Sequence, residues 1–553
     1  MNTFANGSLF LFLMCFILSC SPKNEYVQED GLKSFDVKNL EDHIKILASD
    51  SFQGRKPFTE GETRTIQYLK NEFSKLGLEP GNGNEYFQKV PMVEITPTAD
   101  SIMRVKGVAS NFTLRGFHDY VINSQRTDSA IVWKDEPLVF AGFGIVAPEY
   151  NWNDYENLDV RNKIVVVLVN DPGFGGEDPA FFKGNTMTYY GRWTYKFEEA
   201  ARQGAKGCLV IHDTAPAGYP FQVLQNTWNA AHLYLDPRGK NVFYSEGIGW
   251  ITKPAAEKVF SAAGLDFNEM QTQARKPGFK GQELKIGITL SMNLRVRFNT
   301  SNNVIGKITG SEKPDEYIVY TAHWDHLGIS TKDASGDSIY NGAVDNASGT
   351  AGLLEIAKAF KSMNHKPGRS IVFLAVTAEE QGLWGSAYYA ENPVYPKEKT
   401  IANINMDGIN PYGPMKDVMV IGVGQSDLED CLKEEARLLN RDVLPDDEPE
   451  KGYFFRSDHF NFAKIGVPTL YVETGSYFVG KGKAYGEQLK TTYTEKYYHQ
   501  PSDEFDSTRM NFEGGIEDLK LLFQVGKRLS FADKWPQWKE GSEFKAIRES
   551  YAQ

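Results

Sequence analysis

Cysteine is scarce in this chain: there are four among 553 residues, at positions 15, 20, 208 and 431. That spacing builds neither a disulfide framework nor a cysteine-ligated zinc cluster. Cys208, in the apolar run "AKGCLVIHD", and Cys431, in the helical stretch "SDLEDCLKEEARLLN", read as packed thiols. A basic block is missing as well. The 60 Lys and Arg are scattered among 72 Asp and Glu, for a net charge of −12, which excludes the clustered positive surface that nucleic acid requires. Beyond residue 20 no apolar run approaches the length of a membrane helix, and there is neither an internal repeat nor a low-complexity tail. What the chain does have is 41% hydrophobic and 13% aromatic residues, enough to bury a sizeable core, over a length that predicts more than one domain.

The opening "MNTFANGSLFLFLMCFILSC" reads as a targeting segment. Its apolar stretch, Leu9 to Leu18, is too short to span a bilayer and fits the core of a secretory signal. Ile17-Leu18-Ser19-Cys20 resembles a bacterial lipobox, although no Lys or Arg precedes the apolar core. The resemblance implies a signal over 1–19 and a lipid on Cys20. Acyl chains there would hold the protein in the cell envelope at a membrane surface, on the outer membrane and facing the periplasm or the exterior. An ordinary secretory signal with a chance cysteine is the alternative.

Helical periodicity marks "DVKNLEDHIKILASD" and "EGETRTIQYLKNEFSKLGL", where Ile66, Leu69, Phe73 and Leu76 share a face. From about residue 97 the texture turns to short β-rich runs separated by Gly/Pro/Asp-rich loops. From about 300 it becomes strand, loop, helix, repeated: "EYIVYTAH", "SGTAGLLEIAKAFKSM", "RSIVFLAVTA", "TIANINMDG", "VPTLYVETG". Near-continuous apolar strands alternating with amphipathic helices predict an α/β fold whose mostly parallel central sheet is covered on both faces.

Acids and imidazoles gather at the predicted strand ends. "YTAHWDHLG" supplies His323, Asp325 and His326, and "NGAVDNASGT" supplies Asp345. "TAEEQG" supplies Glu379 and Glu380, "INMDGI" Asp407, and "YYHQPSD" His499 and Asp503. The carboxyl ends of strands in open α/β sheets converge on one crevice, so five segments aim charge at one place. Unpaired, those carboxylates would repel one another and suffer a large desolvation cost. A pair of divalent cations removes the conflict, and a His/Asp/Glu set without cysteine suits catalytic zinc.

In order and spacing, "HWD…GAVDNASG…TAEEQGLWGS…NMDG…SDHFNFAKIGVP…YYHQPSD", together with "LASDSFQGRKPFTEGETRTIQYLKNEFSKLGLEP", resembles the M28 family of co-catalytic zinc peptidases. The resemblance implies a zinc exopeptidase fold and two Zn²⁺ per chain. His323 and Asp407 bind one ion, Glu380 and His499 the other, and Asp345 bridges them. Glu379 is then the general base toward a water shared by the ions, which explains the adjacent glutamates: one is a ligand, and its neighbour must stay off the metal. Tyr498 and Tyr453 are both candidates to assist the oxyanion. The step Asp345-Asn346 is expected to be cis. Asp325 is expected to accept from the far nitrogen of His323 and Asp503 from that of His499, as carboxylates commonly do beside metal-bound imidazoles. Asp458 orients loop backbone or substrate, or is structural. His326 and His459 are left outside the metal set.

The β-rich stretch 97–296, with "LVFAGFGIVAPEYNWNDYENLDVRNKIVVVLVNDPGF" and "EEAARQGAKGCLVIHD", resembles a protease-associated (PA) domain, inserted to roof the cleft or as inert scaffold. The expected division is a signal (1–19), an N-terminal peptidase part (20–96), the insertion (97–296), the catalytic domain (297–535) and a C-terminal tail (536–553). The expected activity is removal of N-terminal residues from peptide substrates. The alternatives are a carboxypeptidase taking acidic C-terminal residues, for which Arg456 and Lys451 are the nearest cations, and a non-catalytic binding protein on a peptidase fold.

Overall fold

The computed structural model describes residues 29–228 and 230–552. The expected targeting segment, with Cys15 and Cys20, lies outside the described residues. Among them no helix is long and apolar enough to cross a membrane.

The centre is the strand Arg369–Val376, all eight residues of which are buried. Its side chains alternate between two cores, as a pleated strand requires. Ile371, Phe373 and Ala375 enter one, and Val372, Leu374 and Val376 the other. Lys313–His323 pairs with it in parallel, followed by Thr400–Asn405 and Thr469–Thr474, also parallel. The outer Asp417–Val420 runs antiparallel to the last of these. Helices Val37–Leu47, Gly349–Ser362 and Glu513–Phe531 pack on the first face. Trp384–Glu391 and His459–Lys464 pack on the second. This is the expected α/β sheet, mostly parallel and covered on both sides.

The central sheet continues through the antiparallel strand Gln282–Ile308, which is paired along thirteen residues with Phe87–Ala99. The expected boundaries of the insertion fall inside these two strands, two rungs apart: Pro97 faces Leu294, and Val296 faces Ile95. At these expected boundaries the chain leaves and re-enters the central α/β body through a single two-stranded ribbon. Beyond it, Ile164–Leu168, Gly207–His212 and Gly247–Thr252 form a parallel trio with its own cores, in which Cys208 is a buried free thiol. The insertion returns to the catalytic part through Tyr189, whose ring meets Phe455 and Phe460. The stretch expected as a tail is packed: Trp538 and Phe544 are buried, and Trp538 Nε1 donates to the Gly466 carbonyl.

Candidate metal centre and catalytic groups

Each acid or imidazole arrives at the end of an element whose apolar residues anchor it. His323 ends the strand Lys313–His323. Glu379 and Glu380 follow Arg369–Val376 after Ala378, which takes a left-handed φ of 52°. Asp407 follows Thr400–Asn405. Asp345 lies in the turn before Gly349–Ser362, and the Asp345-Asn346 peptide is cis. His499 follows the helix Lys483–Lys496.

These five segments meet. His323 Nε2 lies 2.9 Å from Asp407 Oδ1 and 3.3 Å from Asp345 Oδ1. His499 Nε2 lies 3.1 Å from Asp345 Oδ2 and 3.1 Å from Glu380 Oε2. Asp345 therefore turns one oxygen to each histidine. Glu379 Oε2 is 3.9 Å from His323 Nε2, the most distant of the set. Ligands about 2.0–2.2 Å from a tetrahedral ion stand roughly 3.3–3.6 Å apart, so these spacings need little adjustment to hold one. Charge points the same way. Asp345, Glu379, Glu380 and Asp407 are four carboxylates around two imidazoles, a surplus that two divalent cations neutralise. The donor set fits zinc.

Without cations the strain of the cluster shows in its protonation. Burial, reinforced by Asp407, Glu380 and Asp458, lifts Glu379 well above the usual carboxylate range despite the pull of His323. Burial opposes the charged form of His323, but Asp407 and Glu379 outweigh it and raise its pKa. Burial would raise Glu380 too; His499 and His326 reverse this and hold it at about 2.

His326, left outside the set on sequence, belongs to the site. Its Nδ1 lies 2.6 Å from Glu380 Oε1, leaving Oε2 for the centre. Ser457 does the same for Asp407: its hydroxyl donates to Oδ2 (2.6 Å) while Oδ1 faces His323. Ser457 in turn accepts from Asn405 Nδ2 (2.8 Å), and Thr321 Oγ1 donates to Asn405 Oδ1 (2.6 Å), so a buried polar chain runs from the sheet to the carboxylate. The motif "HWDH" did carry a signal for His326, two imidazoles three residues apart. Nothing in the sequence pointed to Ser457.

Two expected contacts are made differently. His323 Nδ1 meets the backbone carbonyl of Asp325 (3.1 Å), with the carboxylate 3.8 Å away. That carboxylate accepts instead from the Glu379 N–H (3.0 Å) and so positions the glutamate pair. Asp503 does not serve His499. Its oxygens accept from the backbone N–H groups of Val344 and Asp345 and from the Tyr493 hydroxyl, which fixes the turn carrying Asp345. The short reach of an aspartate decides both: a backbone amide is nearer than the ring. Asp458 is fully buried and accepts from the Ser386 hydroxyl (2.5 Å). Of the two tyrosines, Tyr498 stacks on His499 with ring centroids 4.0 Å apart. Tyr453 stands away from the carboxylate cluster, its hydroxyl 3.4 Å from Glu448 and its ring against Arg456.

The family described as Peptidase family M28 matches residues 303–522. The Glutamate carboxypeptidase 2 homolog of Caenorhabditis elegans is 41% identical over 442 residues, 69% of this chain and 52% of that protein. Aminopeptidase NAALADL1 of Mus musculus is 38% identical over 143 residues, 24% of this chain and 17% of that protein. The chain therefore spans about half the length of the worm relative and a smaller part of the mouse one. Among solved structures, an aminopeptidase from Aneurinibacillus sp. strain AM-1 is similar over 91% of this chain and 96% of that one, with 18% identity and a TM-score of 0.49.

Proposed function

Because residues 303–522 form a domain of peptidase family M28, we propose that the protein is a dinuclear zinc exopeptidase that removes N-terminal residues from peptides. The observation that carries the reading is Asp345 set between His323 and His499, one oxygen to each, with Asp407 and Glu380 on the two flanks. In this reading His323, Asp407, Asp345, Glu380 and His499 would hold the zinc, His323 and Asp407 on one side of Asp345 and Glu380 and His499 on the other. Zinc, when bound, supplies Lewis acidity toward water and the scissile carbonyl.

The chain's own groups do the rest. Glu379, held through its backbone by Asp325, takes the proton of the attacking water and returns it to the leaving amine. Tyr498 donates from its hydroxyl to the oxygen on which negative charge develops. Although Tyr498 is 46% exposed, desolvation at its hydroxyl and the nearby carboxylates of Asp345 and Glu380 push its pKa upward, so it keeps its proton at neutral pH.

The carboxypeptidase reading is supported by the name of the worm relative and needs a free cation for a terminal carboxylate. Lys451 is already paired with Glu448 at 2.6 Å, which leaves Arg456, a donor to the neutral Lys451 carbonyl at 2.6 Å, as the candidate for that role.

A matched panel of free and N-blocked peptides, assayed with and without a chelator, tests the proposal. Metal-dependent cleavage confined to free N-termini is the expected result; trimming of blocked peptides from the C-terminus would overturn it. In the same assay Glu379→Gln should keep its zinc and lose about 10²–10⁴-fold in kcat. Near-wild-type turnover would remove Glu379 from the base role.

A further inference from the structure

The turn Asp50–Arg55 is distant in sequence from every proposed ligand, yet its last residue reaches the metal centre. Arg55 is 1% exposed, and its guanidinium nitrogens end on backbone carbonyls. Nε donates to Trp324 (2.9 Å), Nη1 to Leu47 (2.8 Å) and Asn341 (2.6 Å), and Nη2 to Gly342 (2.9 Å). Trp324 directly follows His323. Asn341 and Gly342 open the turn that delivers Asp345. One planar fork thus joins the two loops on either side of the shared carboxylate to the helix Val37–Leu47.

The turn is shaped to bring the side chain inward. Gln53, Arg55 and Phe58 all take left-handed φ values, of 50°, 51° and 68°. A side chain on Gly54 would come within 2.5 Å of the Tyr340 carbonyl and 2.7 Å of that of Gly328, so the turn is wedged against the short ribbon Gly328–Ile329 and Ile339–Tyr340. Asp50 holds the same loop from the other side, accepting from Asn341 Nδ2 (2.9 Å). The four acceptors of Arg55 are all neutral. Burial lowers its pKa to about 10, and Asp325, Asp345, Asp503 and Glu380 are the nearby charges that oppose the fall, so the cation persists at neutral pH.

We propose that Arg55 is a positioning residue of the metal centre: by fastening the loop after His323 to the loop before Asp345, it makes the N-terminal segment necessary for tight zinc binding although that segment supplies no ligand. The inference rests on the zinc reading above. Lysine is no substitute, because three donors on one atom cannot reach four carbonyls lying in different directions.

The test compares full-length wild type, Arg55→Lys and Arg55→Ala. Zinc affinity is measured by competition with a chromogenic chelator, and the zinc-induced rise in Tm is followed at a temperature where circular dichroism shows each protein folded. Arg55→Lys should bind zinc about 10–100-fold more weakly, the usual effect of losing a group that orients ligands, with a correspondingly smaller rise in Tm. Millimolar guanidinium should restore affinity to Arg55→Ala and leave wild type unchanged. Folded Arg55→Lys with wild-type affinity would overturn the inference, as would Arg55→Ala that needs no guanidinium. Wild type that takes up no zinc would instead bring down the zinc reading, and this inference with it.

Discussion

His326 and Ser457 each occupy one oxygen of a carboxylate whose other oxygen faces the centre. Such contacts fix which lone pair is offered to an ion and hold the ligand in place before the ion arrives. A second residue-scale consequence concerns His459, fully buried between the rings of Phe454 and Tyr471, with centroids 4.9 and 4.8 Å away. Burial lowers its pKa to about 3. The unfolded chain binds a proton at this histidine below its ordinary value near 6.5, whereas the folded chain does not, so stability is lost as pH falls from about 6.5 toward 3. At pH near 4.5 the loss is roughly 2–3 kcal/mol. His459→Phe should therefore narrow the gap between Tm at neutral and at mildly acidic pH; equal gaps in variant and wild type would contradict this origin. The residues of the carboxylate and imidazole cluster were legible, since acids and imidazoles at the ends of apolar strands have few bland explanations. Which of His323 and His326 faces the centre, and which group each aspartate grips, depends on side-chain reach, and spacing does not encode that.

At the scale of elements, the turn into Gly349–Ser362 is where fold and site are joined. Asn346 Oδ1 accepts from the backbone of both Gly349 and Gly408, and its Nδ2 donates to the Met406 carbonyl, tying the helix start to the strand end that carries Asp407. A Cβ on Gly349 would lie 2.2 Å from Asn346 Oδ1 and 2.6 Å from the Met406 carbonyl. In an unencumbered helix, Gly→Ala stabilises by about 1 kcal/mol. Here the collision should reverse the sign, so that Gly349→Ala costs about 1–3 kcal/mol and weakens zinc binding together with Tm. A more stable variant with unchanged affinity would show that the close approach is not required. The strands and helices themselves were readable, because Ile371–Val376 is an unbroken apolar run of six buried residues and Leu69 and Phe73 mark one face of Glu60–Lys75. The turns between them were less so; the left-handed φ of Ala378 leaves no trace in the residue type.

For the whole molecule the arrangement of the insertion matters most. Its expected entry and exit lie two rungs apart on the ribbon, which invites excision: joining Ile95 to Val296, which face each other, through an Asn-Gly turn keeps the register of the remaining ladder. The excised protein should nevertheless be less stable. The outer edge of Met92–Ile95 would lose its pairing with His232–Leu235, and Phe455 and Phe460 would lose the Tyr189 ring. A fall in Tm on the order of 5–10 °C is expected; an unchanged Tm would make the insertion an independent appendage. The change of texture at about 97 and 296 set the bounds expected for the insertion. The sequence could not show that both changes occur part-way along strands already paired in the peptidase body, because strand pairing at that separation has no local signature. The packed segment around Trp538 and Phe544 was missed for the same reason, since its partners lie some seventy or more residues upstream.

The central claim is that a surplus of carboxylates around Asp345 is balanced by two shared cations. Native mass spectrometry of zinc-saturated protein counts them directly. Wild type should carry two zinc ions per chain, and Asp345→Ala, which removes the ligand common to both, should carry at most one. A wild-type chain that saturates at one ion or none, or an Asp345→Ala chain that still holds two, would contradict the account.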